Sequence, residues 1–191
     1  VAAAALYNLS GQDSLYYSVE YGNVYVAVIN YNADLTEALT WLVDDAKQSG
    51  AAWKILSIHQ PPYYTNVNGG SQRFNAAVPA AAEAAGIDAV FSGHDHSYAR
   101  TQPMIGGQVD EDGVTYFICG DLGEKSRNIN YAATNTEAFN FALISQEYSA
   151  LYLDVTADAY TMSITARDAD GTVIDSCTIE HEDPCAEGHT W

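Results

Sequence analysis

The chain has 191 residues, 48% of them hydrophobic, enough for one core and for one domain or slightly more. Twenty-five acidic residues against seven basic ones leave a formal charge of −18, which argues against a nucleic-acid-binding surface and for an acidic, self-repelling one. No stretch approaches about 18 consecutive apolar residues, so no membrane-spanning helix is expected.

The opening Val1-Ala2-Ala3-Ala4-Ala5 lacks a positive flank and is too short for a signal peptide. It reads as part of a helix entered from preceding residues. Tyr16 to Tyr21 and Val24 to Ile29 are rich in β-branched and aromatic residues, and Gly22-Asn23 between them signals a two-residue hairpin. Asp34 to Gln48 spaces Leu35, Leu39, Leu42 and Val43 as a helix does, with Gly50 as its stop. Trp53 to Ile58 is a short apolar strand that His59-Gln60-Pro61-Pro62 ends, because proline cannot donate to a ladder.

A polar loop, Tyr64 to Ser71, follows, then an alanine-rich helix over Asn75 to Ala85 closed by Gly86. Ile87 to Ser92 is a second buried strand, leading into Gly93-His94-Asp95-His96. This alternation predicts a layered α/β fold, a sheet covered by helices. Val114 to Cys119 is another strand, and Gly120 to Asn140 a long polar loop. Phe141 to Ser145, Ala150 to Thr156, Tyr160 to Arg167 and Thr172 to Ile179 then read as an antiparallel meander packed on the earlier layers. The pattern dissolves after Glu180, so residues 1–180 are expected to form the domain and 181–191 a linker or tail in which His181 and His189 are solvated. Three cysteines do not make a disulfide framework. Cys177 and Cys185 could pair, and Cys119 reads as a small buried apolar residue.

Three of the five histidines carry the chemistry. His59 and His94 each follow a strand, and those strands are joined by one helix. A right-handed crossover makes them parallel neighbours, and ligands of such sheets bind beyond the carboxyl ends of the strands. In extended backbone His94 and His96 project to one side, and Gly93 allows a sharp exit from the strand. A lone histidine after a strand is ordinarily a surface or capping residue. Three at matched positions point to a transition-metal site, with His59, His94 and His96 as ligands. Asp95 faces away from its neighbours and is expected to orient a histidine rather than to bind the cation.

The segments Ile55-Leu56-Ser57-Ile58-His59-Gln60-Pro61-Pro62-Tyr63 and Val90-Phe91-Ser92-Gly93-His94-Asp95-His96-Ser97-Tyr98-Ala99-Arg100-Thr101 resemble the last two motifs of the calcineurin-like metallophosphoesterases, with the closest likeness to a bacterial purple-acid-phosphatase-like branch. The resemblance runs from about Tyr16 to about Ile179. It implies a four-layer fold, a β-sandwich of two mixed sheets flanked by helices. It also implies a dinuclear centre of Fe, Zn or Mn, with His59 and His94 on one metal and His96 on the other. The implied reaction is hydrolysis of a small phosphate ester, two cations clamping the phosphoryl group and activating water. Tyr63, Asn68, Asp95, Tyr98 and Arg100 are the residues expected to contact substrate or support the ligands.

The family's first three motifs, Asp-x-His, Gly-Asp-x-x-Asp and Gly-Asn-His-Asp/Glu, are absent from the 191 residues. Gly120-Asp121-Leu122-Gly123-Glu124 imitates the second only superficially and falls after the Gly-His-x-His motif. The bridging aspartate, the ligand asparagine and the proton-donating histidine are therefore expected upstream, and no catalytic residue is assigned within the chain. The chain is read as the C-terminal half of a longer phosphoesterase, holding one metal or none by itself and inactive alone. Its missing strands are expected to leave an edge or face through which it dimerises or swaps. The tail around Cys185 faintly resembles the start of repeats in exported bacterial surface proteins, so an extracellular or cell-surface location is expected. The alternatives are a non-catalytic surface-binding module that keeps the fold, and a structural mononuclear zinc site.

Overall fold

The computed structural model describes residues 15–66, 71–120, 139–145 and 150–182. Strands β1 (Tyr16–Tyr21) and β2 (Val24–Ile29) form the expected hairpin, with Tyr21 opposite Val24. Gly22 takes φ 62° at the first turn position, which is what a type II′ turn demands there. Helix α1 (Leu35–Gln48) starts where Asp34 accepts the Glu37 backbone N–H, and it buries Leu35, Ala38, Leu39, Leu42 and Ala46. Strand β3 (Trp53–Ile58) and helix α2 (Ser71–Ala85) follow. Helix α2 begins four residues earlier than its alanine-rich stretch suggests and carries Pro79 inside. Strand β4 (Ala89–Ser92) completes the alternating part.

The second half adds β5 (Tyr98–Thr101), a small hairpin of β6 (Met104–Ile105) and β7 (Gln108–Val109), β8 (Thr115–Cys119), β9 (Phe141–Ser145), β10 (Leu151–Ala157), β11 (Thr161–Asp168) and β12 (Val173–Glu180). The main sheet has the order β1-β2-β3-β4-β8-β5-β9, and β10-β11-β12 form a second sheet. Strands β2, β3, β4 and β8 run parallel, so their carboxyl ends share one edge. The meander is one strand shorter than expected. Phe141–Ser145 pairs with β5 in the main sheet instead, with Ala99 opposite Ile144.

Alternation within the strands divides the core. Leu56, Ile58 and Val90 pack under α1 and α2 with Leu39, Leu42, Phe74 and Val78. On the other face Trp53, Ile55, Ala89 and Phe117 meet Met162 and Ile164 of the second sheet. A smaller cluster joins Tyr98 to Leu151 and Ala166. Three of the four expected layers are thus present among the described residues: helices, large mixed sheet, small sheet. No described helix is long and apolar enough to cross a membrane.

Three expectations are corrected or fall outside the description. His181 is not a solvated tail residue. Its ring stacks on Trp53 at 4.0 Å, its Nε2 lies 2.8 Å from Asp88 Oδ1, and its N–H donates to Tyr160 O. Packing contacts therefore reach past Glu180, because a flat imidazole finds a flat apolar partner and a carboxylate together. Cys119 and Cys177 are free thiols, and Cys185 lies outside the described residues. The alanine-rich start, the loop after Gly120 and His189 also lie outside them.

Candidate metal centre

The parallel register sets Ile58 opposite Ser92, so His59 and Gly93 are the next residues out of the sheet. Gly93 N–H donates to His59 O at 3.1 Å and carries the pairing one step beyond the strands. The sharp turn does not occur at Gly93, where a Cβ would meet only ordinary contacts, His59 Nδ1 at 3.7 Å and His59 O at 3.9 Å. It occurs at His94, which takes φ 65°. A left-handed non-glycine residue costs free energy and persists only where the surroundings hold it. It also means that His94 and His96 do not share one side of an extended segment.

His59 and His94 form a close pair. His59 Nε2 and His94 Nδ1 stand 3.2 Å apart, with their rings at 86° to one another. Nitrogen donors lie about 2.0–2.1 Å from zinc, so two on one cation are separated by about 2.9 Å at right angles and about 3.3 Å in a tetrahedron. The observed separation falls between these values, and two imidazoles that close fit a shared cation. His96 is half-buried. No group of three or more His, Cys, Asp or Glu side chains is gathered closely enough to hold a metal among the described residues.

A cleft of about 580 Å³ opens beside the pair at the strand ends. Asn30 and Tyr31 after β2, Ser57 and His59 of the β3 end, Ser92 and Gly93 of the β4 end and Cys119 of β8 line it. Of these, sequence reasoning gave a part in the site only to the histidine and the glycine. The signal available for the others was position, since each sits at or just past the end of a parallel strand. Burial pushes the Cys119 thiol up to about 11, so the thiol stays protonated at neutral pH.

Asp95 is 1% exposed. Its Oδ2 accepts the backbone N–H groups of Thr65 at 2.7 Å and Asn66 at 3.0 Å, and the Thr65 hydroxyl at 3.2 Å. Burial pushes its carboxyl above the usual range, while these donors and the His94 ring pull it back. Asp95 thus grips the loop that follows β3. Gly120 closes the turn from the opposite side. A Cβ there would lie 2.4 Å from Asp95 O.

The remaining expected contacts take other tasks. Tyr98 donates its hydroxyl to Asp175 Oδ2 at 2.8 Å. Arg100 grips the same carboxylate through Nε at 2.6 Å and Nη2 at 3.1 Å. Both are held between the two sheets, where Asp175 of β12 fixes them. Burial raises the Asp175 carboxyl, but the bonds from Arg100 and Tyr98 outweigh it and leave the group below its ordinary range. Tyr63 is buried, edge-to-face on Tyr116 at 4.7 Å and on Phe139 at 5.4 Å. Aromatic packing accounts for it. Asn68 lies outside the described residues.

A family model for calcineurin-like phosphoesterases matches residues 3–98. Purple acid phosphatase 18 of Arabidopsis thaliana is 32% identical over 130 residues, covering 62% of this chain and 29% of that protein. Purple acid phosphatase 15 of the same plant is 30% identical over 132 residues, covering 63% of this chain and 24% of that protein. Among solved structures, the purple acid phosphatase PPD1 from yellow lupin (Lupinus luteus) seeds matches with a TM-score of 0.73 at 18% identity, over 86% of this chain and 32% of that one. GAP50, described as the anchor in the inner membrane complex of Plasmodium, matches with a TM-score of 0.61 at 14% identity, over 88% of this chain and 54% of that one. The chain spans less than a third of the length of these curated relatives.

Proposed function

The chain belongs to the calcineurin-like phosphoesterase family, and from that premise we propose that it supplies the histidine half of a dinuclear phosphate-ester hydrolase. The observation that carries the reading is the His59–His94 pair, 3.2 Å apart beside an open cleft at the ends of parallel strands. His59 Nε2 and His94 Nδ1 would hold one cation, and His96 would serve the second. A bound pair of Fe, Zn or Mn ions supplies charge neutralisation at the phosphoryl group and activation of water. The chain's own residues do the rest. Asn30 and Ser57 line the cleft and offer polar groups to a ligand there.

Without the bridging carboxylate of the absent motifs, the 191 residues bind metal weakly and do not catalyse. The ester class, the pairing of chains through an uncovered edge and an extracellular location belong to this same proposal. A Zn²⁺ titration of the purified chain, with p-nitrophenyl phosphate as substrate, tests it. Weak binding that His59→Ala or His94→Ala abolishes, without turnover, is the expected result. Turnover by the isolated chain would overturn the half-site reading. Absence of any zinc binding would overturn the assignment of the pair and favour the non-catalytic module.

A further inference from the structure

Two segments meet at the strand ends. One leaves β3 through His59 and reaches Asn66; the other is the 93–97 turn that carries His94 and His96. The sheet holds only their first residues together, through Gly93 N–H and His59 O at 3.1 Å. By Thr65 the first segment is seven residues beyond the end of β3 at Ile58, and there one carboxylate takes hold of it. Asp95 lies between the two histidines of the turn, and a single oxygen, Oδ2, accepts from Thr65 N–H, Asn66 N–H and the Thr65 hydroxyl at 2.7, 3.0 and 3.2 Å. The Thr65 hydroxyl also lies 2.8 Å from Ser97 Oγ, so the cross-link returns to the same turn. A carboxylate that is 1% exposed costs stability unless such donors meet it. Gly120 backs the turn from the far side, where a side chain would collide with Asp95 O.

We propose that Asp95 is a positioning residue, pinning the loop after His59 to the turn bearing His94 and His96 and so fixing where a phosphate ester meets the imidazoles. The proposal rests on the phosphoesterase reading for its consequence, but its mechanical part stands apart from it. The choice of oxygen makes it specific. Oδ1 is buried with no partner among the described residues. An asparagine carbonyl can therefore take over all three bonds at Oδ2, whereas alanine keeps none.

Amide hydrogen exchange and the imidazole ¹H–¹⁵N spectrum of the whole chain test this. In the unaltered protein Thr65 and Asn66 exchange at least about 100-fold more slowly than open chain, although they lie in a loop. Asp95→Ala raises both rates at least about tenfold and shifts the signals of His59, His94 and His96. It also weakens Zn²⁺ binding, followed on those signals, by about 10- to 100-fold. Asp95→Asn retains most of the protection. Asp45→Ala, which removes the acceptor of Ser18 Oγ and Tyr25 Oη, lowers stability and leaves the three histidine signals in place. Unprotected Thr65 and Asn66 amides in the unaltered protein overturn the proposal, and that measurement decides even if Asp95→Ala does not fold. Unmoved histidine signals in Asp95→Ala overturn it as well, as does an asparagine variant that behaves like alanine. If the unaltered chain gives no zinc response, the metal reading of the pair fails, while exchange and imidazole spectra still decide the role of Asp95.

Discussion

Removing the Asp175 carboxylate is expected to be among the most damaging changes distant from the histidine pair. Asp175 accepts three bonds, two from Arg100 and one from Tyr98. The Arg100 and Asp175 side chains are only 17% and 12% exposed, so solvent screens the pair little. Breaking a buried pair by deleting one partner costs about 3–5 kcal/mol, and the remaining exposure argues for the low end, about 3 kcal/mol for Asp175→Ala. In a chain of this length that corresponds to about 6–12 °C in Tm. A double-mutant cycle with Arg100→Leu should show a coupling of about 1.5–3 kcal/mol, because the leucine leaves no charge stranded when Asp175 is already gone. The pH dependence follows from the sign of the shift. Asp175 sits below its ordinary value of 3.8 in the folded chain, so the fold favours its ionised form. That contribution is present above the unfolded value and is lost as pH falls through the lower, folded one. Urea unfolding of both proteins at neutral pH and in steps below about pH 4 measures it. A loss under about 0.5 kcal/mol, or one that stays constant through the acid range, would refute the clamp.

Three further outcomes are expected. Gly120→Ala should destabilise by about 2 kcal/mol in thermal melts, since its Cβ would lie 2.4 Å from Asp95 O, while Gly93→Ala, meeting nothing nearer than 3.7 Å, should cost under about 1 kcal/mol. His181→Ala should cost about 1–2 kcal/mol in urea, through the lost Trp53 stack and the lost partner of Asp88; an unchanged midpoint would return His181 to the solvated tail. Leu42→Ala should cost about 3 kcal/mol in the same assay, because Leu42 is 0% exposed in the core beneath the helices.

Local periodicity made much of this fold legible. The hairpin, both helices, β3 and β4 follow from alternation, helical spacing and punctuation by glycine and proline, all of which act within a few residues. The Gly93-His94-Asp95-His96 motif likewise points to the family from the sequence alone. What stayed hidden were pairings between distant residues. Strand β5 is four residues long and enters the main sheet between β8 and β9, so nothing near it announces which sheet it joins. Tyr98 and Arg100 follow the histidine motif and invite a substrate role, yet their partner is 75–77 residues away.

By itself, the sequence determined which strands end in histidine and that helix-linked strands set His59 and His94 side by side, since a parallel crossover leaves little choice of neighbour. Only the tertiary structure decided how those histidines stand. The left-handed backbone at His94 goes with an Nδ1 that stands 3.2 Å from His59 Nε2. Asp95 meets the loop, because two backbone N–H groups need an acceptor there. Such choices depend on which polar groups are left buried once the layers close, and no spacing along the chain records that.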